Sequence, residues 1–180
     1  MKNNPLCSAP CPIARSLGRI GDSWSMMILR DAFAGFTRFD EFQKSCNIAP
    51  NILSRRLKEL VEDGLLIKTS YSSTPPRYEY SLTERGRDFR PVLLALAEWG
   101  NRHFAPEGCQ LQLVENKTQR PVQAVMVDRE TGTPITSENY SMIPGPAASA
   151  AIRYRDKYLA EKRAGNVLKF TPPMHGNNKK

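Results

Sequence analysis

Phe39-Asp-Glu-Phe-Gln-Lys-Ser-Cys46, then Asn47-Ile-Ala49, then Pro50-Asn-Ile-Leu-Ser-Arg-Arg-Leu-Lys-Glu-Leu-Val-Glu-Asp63, then Gly64: this run decides the fold. In its first part Phe39, Phe42 and Cys46 share one helical face, with Thr37 or Arg38 in the cap position before it. After the three-residue connector, Pro50 suits a first helical position, where a missing N–H costs nothing. The second helix should therefore run from Pro50 to about Asp63 and stop at Gly64. Leu53, Leu57, Leu60 and Val61 recur at helical spacing and face a core. Asn51, Ser54, Arg55, Arg56 and Lys58 are left outside, an amide, hydroxyl and cation set able to meet phosphates and base edges in a major groove.

Downstream, Leu65–Tyr71 and Arg77–Leu82 are rich in β-branched, aromatic and apolar residues. Ser72-Ser-Thr-Pro-Pro76 between them is expected to continue neither strand, which makes a hairpin, or wing. Lys68 on the outgoing strand and Arg77 at the tip are cations placed to enter a minor groove or touch the sugar-phosphate backbone. A basic face on one isolated helix is usually only a solvated face. The ordered succession of helix, tight turn, basic helix and wing is much rarer than its parts, and it points to a DNA-reading module.

Upstream, Pro12 opens a short amphipathic helix through Ile13, Leu17 and Ile20, and Gly21-Asp-Ser23 supplies a break and a cap. Trp24 to Ala34, with Met27, Ile28, Leu29 and Phe33, is apolar nearly all round, as a central helix should be, and completes a three-helix core. After the wing, Thr83 caps a pattern in which Phe89, Val92, Leu93, Leu96, Trp99 and Phe104 recur every three or four residues, with a kink or restart expected at Pro91. That stripe lies outside the compact unit, and pairing with the amino-terminal helix of a second subunit would cover it.

Pro106-Glu-Gly108 marks a boundary. Beyond it Leu111, Leu113, Val122, Ala124, Met126 and Ile135 alternate in short runs that read as small β-structure, Ala147–Ala164 is helix-prone, and Thr171–Lys180 reads as a disordered tail. The fold class is thus mainly α with small β. Residues 1–108 form the winged helix-turn-helix and dimerisation domain, 109–170 a small β-ribbon with a terminal helix, and 171–180 the tail. No internal repeat is evident.

The chain of 180 residues has a formal net charge of +8, which favours an anionic partner and salt-dependent binding. Residues 1–108 hold 15 Lys/Arg against 12 Asp/Glu, net +3, and residues 109–180 hold 11 against 6, net +5, so charge alone does not single out the helix–wing segment. No apolar run approaches the roughly 20 residues needed to cross a bilayer, and the first residues lack a signal-peptide core, so a cytoplasmic protein with no membrane partner is expected. Four cysteines, at 7, 11, 46 and 109, do not resemble a disulfide framework. An enzyme is not expected, since no nucleophile with its base, metal cluster or phosphate loop is visible, and no cofactor is expected either.

The motifs Cys11-Pro-Ile-Ala-Arg-Ser-Leu17, Ile20-Gly-Asp-Ser-Trp24, Ile28-Leu-Arg-Asp31, Arg38-Phe-Asp-Glu41, Leu53-Ser-Arg-Arg-Leu-Lys-Glu-Leu60, Asp63-Gly-Leu65, Pro75-Pro-Arg-Tyr-Glu-Tyr80, Leu82-Thr-Glu-Arg-Gly86 and Trp99-Gly100 together resemble the HxlR-type family of bacterial winged helix-turn-helix regulators. The resemblance implies a homodimer on a short pseudo-palindromic operator, with the residues from Pro50 to Leu60 of each subunit in adjacent major grooves. One departure is Ala49, where the family usually has a serine; losing a hydroxyl cap costs about 0.5 to 2 kcal/mol of helix stability.

The resemblance also draws attention to Cys11, because the equivalent cysteine senses electrophiles or oxidants in several members. A thiolate at a helix amino terminus is stabilised by the dipole and free N–H groups, and Arg15 one turn on would add to this. Cys7 is a weaker candidate for a resolving partner. The alternative function is therefore a thiol-based sensor with a small-molecule or electrophile effector, in which DNA binding is secondary. Some members carry an appended ribbon with two Cys-containing knuckles; here Asp128-Arg-Glu-Thr131-Gly132 stands where a Cys-x-x-Cys-Gly would, and Cys109, His103 and His175 are too scattered to complete a tetrahedral site. A metal-free ribbon is expected.

Overall fold

The structure, a computed structural model, describes residues 4–166 and 169–171; of the tail expected to be disordered, all beyond Thr171 lies outside the described residues. A short 3-10 turn (Pro5–Ser8) precedes α1 (Pro12–Ile20), α2 (Ser23–Ala34), α3 (Phe39–Cys46), α4 (Pro50–Glu62), β1 (Leu66–Ser73), β2 (Pro76–Leu82), α5 (Glu84–Arg87), α6 (Arg90–Phe104) and α7 (Ala150–Arg163).

The helix boundaries follow their capping chemistry. Asp22 accepts the Ser25 N–H at 3.0 Å and starts α2, and Gly35, at φ 102°, ends it in the left-handed conformation that glycine adopts without penalty. At α3 the Glu41 carboxylate accepts from the Thr37 and Arg38 N–H groups, both at 2.8 Å, and these contacts hold its pKa below the ordinary carboxylate value. Thr83 accepts the Gly86 N–H at 3.0 Å to start α5, and the helical path stops and restarts before Pro91.

Helices α2, α3 and α4 enclose the core. Ile28, Leu29, Phe42, Leu53, Leu57 and Leu60 are fully buried, and Leu66 brings β1 against them. Two polar side chains share this interior. Asp31 receives the Arg30 guanidinium at 2.6 Å and the Cys46 thiol at 3.2 Å, and burial together with that carboxylate pushes the thiol's pKa up to about 12.

The wing is an antiparallel pair in register from Leu66 opposite Leu82 to Ser73 opposite Pro76, with an irregularity between Ser70 and Ser72. Here the sequence reading needs correcting: Ser72, Ser73 and Pro76 are strand residues, and only Thr74-Pro75 make the turn. A proline is tolerated as the first residue of an edge strand because no neighbour requires its N–H. The hairpin is anchored at its base by the segment before α3, where Arg38 bridges to Glu79 and the Tyr80 N–H donates to the Thr37 carbonyl at 2.7 Å.

The carboxy-terminal segment differs from the expected ribbon. Among the described residues its β-structure consists of two single bridges, Val114 with Pro121 and Val127 with Pro134. Each closes a knuckle, and the two knuckles repeat in their backbone bonds, which overturns the reading that no internal repeat exists. Val122 N–H donates to Leu113 O and Ile135 N–H to Met126 O, each at 2.9 Å; Glu115 N–H donates to Arg120 O at 2.9 Å and Asp128 N–H to Thr133 O at 2.8 Å. The Glu115 carboxylate accepts from the Thr118 hydroxyl and from the Lys117 and Thr118 N–H groups, the Asp128 carboxylate from the Glu130 and Thr131 N–H groups, and these bonds depress the pKa of both acids. The left-handed position in each is held by Gln119 (φ 57°) and Gly132 (φ 70°). Among the described residues no group of three His, Cys, Asp or Glu gathers as a metal site would require.

Candidate nucleic-acid interface

Helix α4 sits with Leu53, Leu57 and Leu60 wholly in the core, and this fixes its rotation. The opposite face exposes Asn51, Ser54, Arg55 and Lys58. Ala49 supplies no side-chain cap, and the first turn is closed instead by the Ala49 carbonyl, which accepts the Ile52 and Leu53 N–H groups at 3.0 Å, with the Asn51 carboxamide oxygen adding a 2.9 Å contact to the Ile52 N–H. Among the described residues Arg55 has no carboxylate partner, so its guanidinium is available to an incoming anion. Lys58 lies 3.8 Å from Glu62 with three quarters of its side chain in water, a weak pairing easily exchanged for a phosphate.

Arg56 differs from its neighbour. Its side chain is only 18% exposed, with Nε 3.0 Å from Asp22 and a terminal nitrogen 2.7 Å from Glu59. It thus joins α4 to the carboxylate that caps α2, and these contacts occupy the cation that sequence reasoning had assigned to DNA. One residue of helical phase, about 100°, separates the outward Arg55 from the inward Arg56.

On the wing, Lys68 and Arg77 are exposed, and Lys68 Nζ lies 3.7 Å from the centre of the Tyr78 ring. That cation–π contact holds a flexible side chain along the sheet. Arg38, which sequence reasoning considered only as a cap, makes a 3.2 Å ion pair with Glu79 and lies 4.9 Å from the Tyr71 ring centre. It fastens the wing to the start of α3. Its signal in the sequence was its place at the head of the Arg38-Phe-Asp-Glu41 motif.

A helix-turn-helix whose second helix turns amides, hydroxyls and cations outward, beside a wing carrying two further cations, has the side-chain chemistry that contacts to duplex DNA use. The family model described as HxlR-like helix-turn-helix matches residues 19–108. The chain belongs to that family. Among relatives, this HxlR-family protein is 36% identical over 141 residues to the HTH-type transcriptional regulator Rv3095 of Mycobacterium tuberculosis (strain ATCC 25618 / H37Rv), covering 78% of this chain and 89% of that protein. It is 38% identical over 94 residues to YdeP of Bacillus subtilis (strain 168), also named as an HTH-type transcriptional regulator, covering 52% of this chain and 73% of YdeP.

Two solved structures also match over about four fifths of the chain. PA1374 of Pseudomonas aeruginosa, a proposed transcription factor, is 51% identical, with a TM-score of 0.60 over 81% of this chain and 99% of its own. PA1607, likewise a proposed transcription factor, is 42% identical with a TM-score of 0.69 over 77% and 98%. Both alignments cover more than the half of the chain matched by the family model, so the likeness includes residues outside it. The HxlR-family chain is a helix-turn-helix transcriptional regulator, and DNA is its partner. No described helix is long and apolar enough to cross a membrane.

The expected sensing thiol, Cys11, is the half-buried N-cap residue of α1, with no side-chain cap bond. The Arg15 guanidinium donates to the Ala9 carbonyl. Cys7 lies in the 3-10 turn that packs on α1, where any Cβ at Gly18 would come within 2.7 Å of the Cys7 nitrogen.

Proposed function

We propose that this HxlR-family regulator acts in the cytoplasm as a homodimer on a pseudo-palindromic operator, with residues 1–108 as the DNA-binding and dimerising unit and 109–170 as an appendage. Asn51 and Arg55 meet base edges, while Ser54, Lys58, Lys68 and Arg77 meet phosphates or groove walls. Arg56 holds the reading helix and makes no direct contact. The observation that carries this reading is the exposure of Asn51, Ser54, Arg55 and Lys58 on one face of a helix whose other face is entirely buried.

Dimerisation is supported by α6, on which Val92, Leu96 and Trp99 are 49%, 44% and 52% exposed, and by α1, whose Ile13 and Leu17 are 59% and 49% exposed. Apolar side chains repeated in this way along two helices are covered when two copies pair. Thiol sensing at Cys11 ranks second, since the Arg15 guanidinium is engaged by the Ala9 carbonyl.

Selection of random duplex DNA at two salt concentrations tests the proposal. A two-fold symmetric site with half-sites about 10 base pairs apart is the expected result. Salt-sensitive binding without a consensus would refute the operator reading.

A further inference from the structure

Helix α6 has three faces. Phe89 and Leu93, near its start, pack on the core, Val92, Leu96 and Trp99 form the exposed stripe, and Glu98, Asn101 and Arg102, spaced i, i+3, i+4, look onto the chain that follows. Asn101 ties that chain to the helix, donating to the Leu111 carbonyl at 2.7 Å and accepting the Gln110 N–H at 3.3 Å. Between helix and chain lies a cavity of about 540 Å³ that reaches the first knuckle at Pro121 and Val122. Its size is that of a small-molecule site.

The lining has a definite chemistry. One wall is an ion pair, Arg102 to Glu98 at 3.3 Å, with the arginine 65% and the glutamate 31% exposed. Along the other wall Leu111, Leu113 and Val122 alternate with Gln112 and Gln123, and Leu111, 64% exposed, lies where the cleft opens to solvent. A ligand with a single charge gains one partner here and meets repulsion from the other. A ligand carrying both charges a few ångströms apart can lie antiparallel to the pair and satisfy both, while an apolar body covers the leucines.

We propose that this cavity binds a small zwitterion with an apolar side chain, of the class of the apolar α-amino acids, its carboxylate on Arg102 and its ammonium on Glu98. Because α6 also carries the exposed stripe, an occupant bears on the same helix that the dimer reading places at the subunit seam, and the site is an effector site. The binding itself does not rest on the DNA-binding reading; only the effector role does.

Cys109 provides a local reporter, since its thiol is exposed and lines the cavity. The protein is titrated with L-leucine, L-phenylalanine and L-tryptophan by calorimetry, and alkylation of each cysteine by iodoacetamide is followed by peptide mapping. The expected result is saturable binding of at least one of the three, slowing Cys109 alkylation at least fivefold while leaving Cys11 unchanged. 3-Phenylpropionate and phenethylamine, each lacking one charge of phenylalanine, should bind at least tenfold more weakly, and Glu98→Gln with Arg102→Gln should abolish binding without altering the fold by circular dichroism. The proposal is overturned if none of the three amino acids binds, if Cys109 is not protected, or if the singly charged analogues bind as well. A bound amino acid that leaves operator affinity within twofold would overturn the effector role, and absence of operator binding both with and without the amino acid would instead overturn the DNA reading.

Discussion

Replacing Arg56 with glutamine separates a residue that holds the reading helix from one that reads. The guanidinium lies 3.0 Å from Asp22 and 2.7 Å from Glu59, and the three side chains are 18%, 26% and 19% exposed. Exposed ion pairs contribute about 0.2 to 1 kcal/mol, and breaking a fully buried one costs about 3 to 5 kcal/mol. One charge-assisted hydrogen bond, to Glu59, and one ion pair without hydrogen-bond geometry, to Asp22, at this intermediate burial put the loss at about 2 to 3 kcal/mol. For a unit of roughly 100 residues, this lowers Tm by about 10 to 20 °C. In the same assay Arg55→Ala should stay within about 0.5 kcal/mol of the parent, because its side chain touches nothing that folding depends on.

Operator binding, measured well below either Tm, should show the converse. Arg55→Ala costs about 1 to 3 kcal/mol and relaxes sequence preference, whereas Arg56→Gln keeps the parental dependence on salt. A phosphate contact would behave differently: its removal reduces the slope of log K against log salt by about one. An Arg56→Gln protein with parental Tm and a reduced slope would refute the reasoning and return Arg56 to the interface.

The thiol of Cys46 is protonated in the fold to a pKa of about 12, against an ordinary 9.0, so the unfolded chain ionises first. Its contribution is fully present below pH 9 and declines as pH rises toward 12, a loss that urea titrations at pH 8 and pH 10 should detect and that Cys46→Ala should remove. Leu96→Glu puts a charge in the middle of the α6 stripe and should leave a folded monomer in sedimentation experiments; an intact dimer would move the subunit seam elsewhere. In the first knuckle, Gln119→Gly should relieve about 1 kcal/mol of left-handed strain and slow hydrogen exchange at the Val122 amide about fivefold, with Gly132→Ala doing the reverse at Ile135.

What was legible in the sequence was what local periodicity fixes. The leucines of α4 set its rotation because nothing else in the molecule can satisfy three buried side chains at 53, 57 and 60, and the exposed face followed from that rotation. Arg56 was not legible, since helical phase distinguishes it from Arg55 by one position while its carboxylate partner Asp22 belongs to another helix. The wing was placed correctly, but its tip was drawn too long because proline was read as a strand breaker at a position where the strand begins and no N–H is needed.

The knuckle repeat escaped for a more general reason. Its two copies preserve hydrogen-bond roles more than residue identity: Glu115 and Asp128 both accept backbone N–H groups, and Gln119 and Gly132 both take a left-handed turn. Valine, threonine and proline do recur in step at 114 and 127, 118 and 131, and 121 and 134, but so sparse a set carries little weight until the bonds around it are seen to match. A carboxylate that closes a turn through backbone donors needs no metal to hold that turn's shape. The appendage can therefore keep two equivalent knuckles by hydrogen bonding alone, and Gln119, which has a Cβ where its counterpart has none, is the place where that closure is weakest.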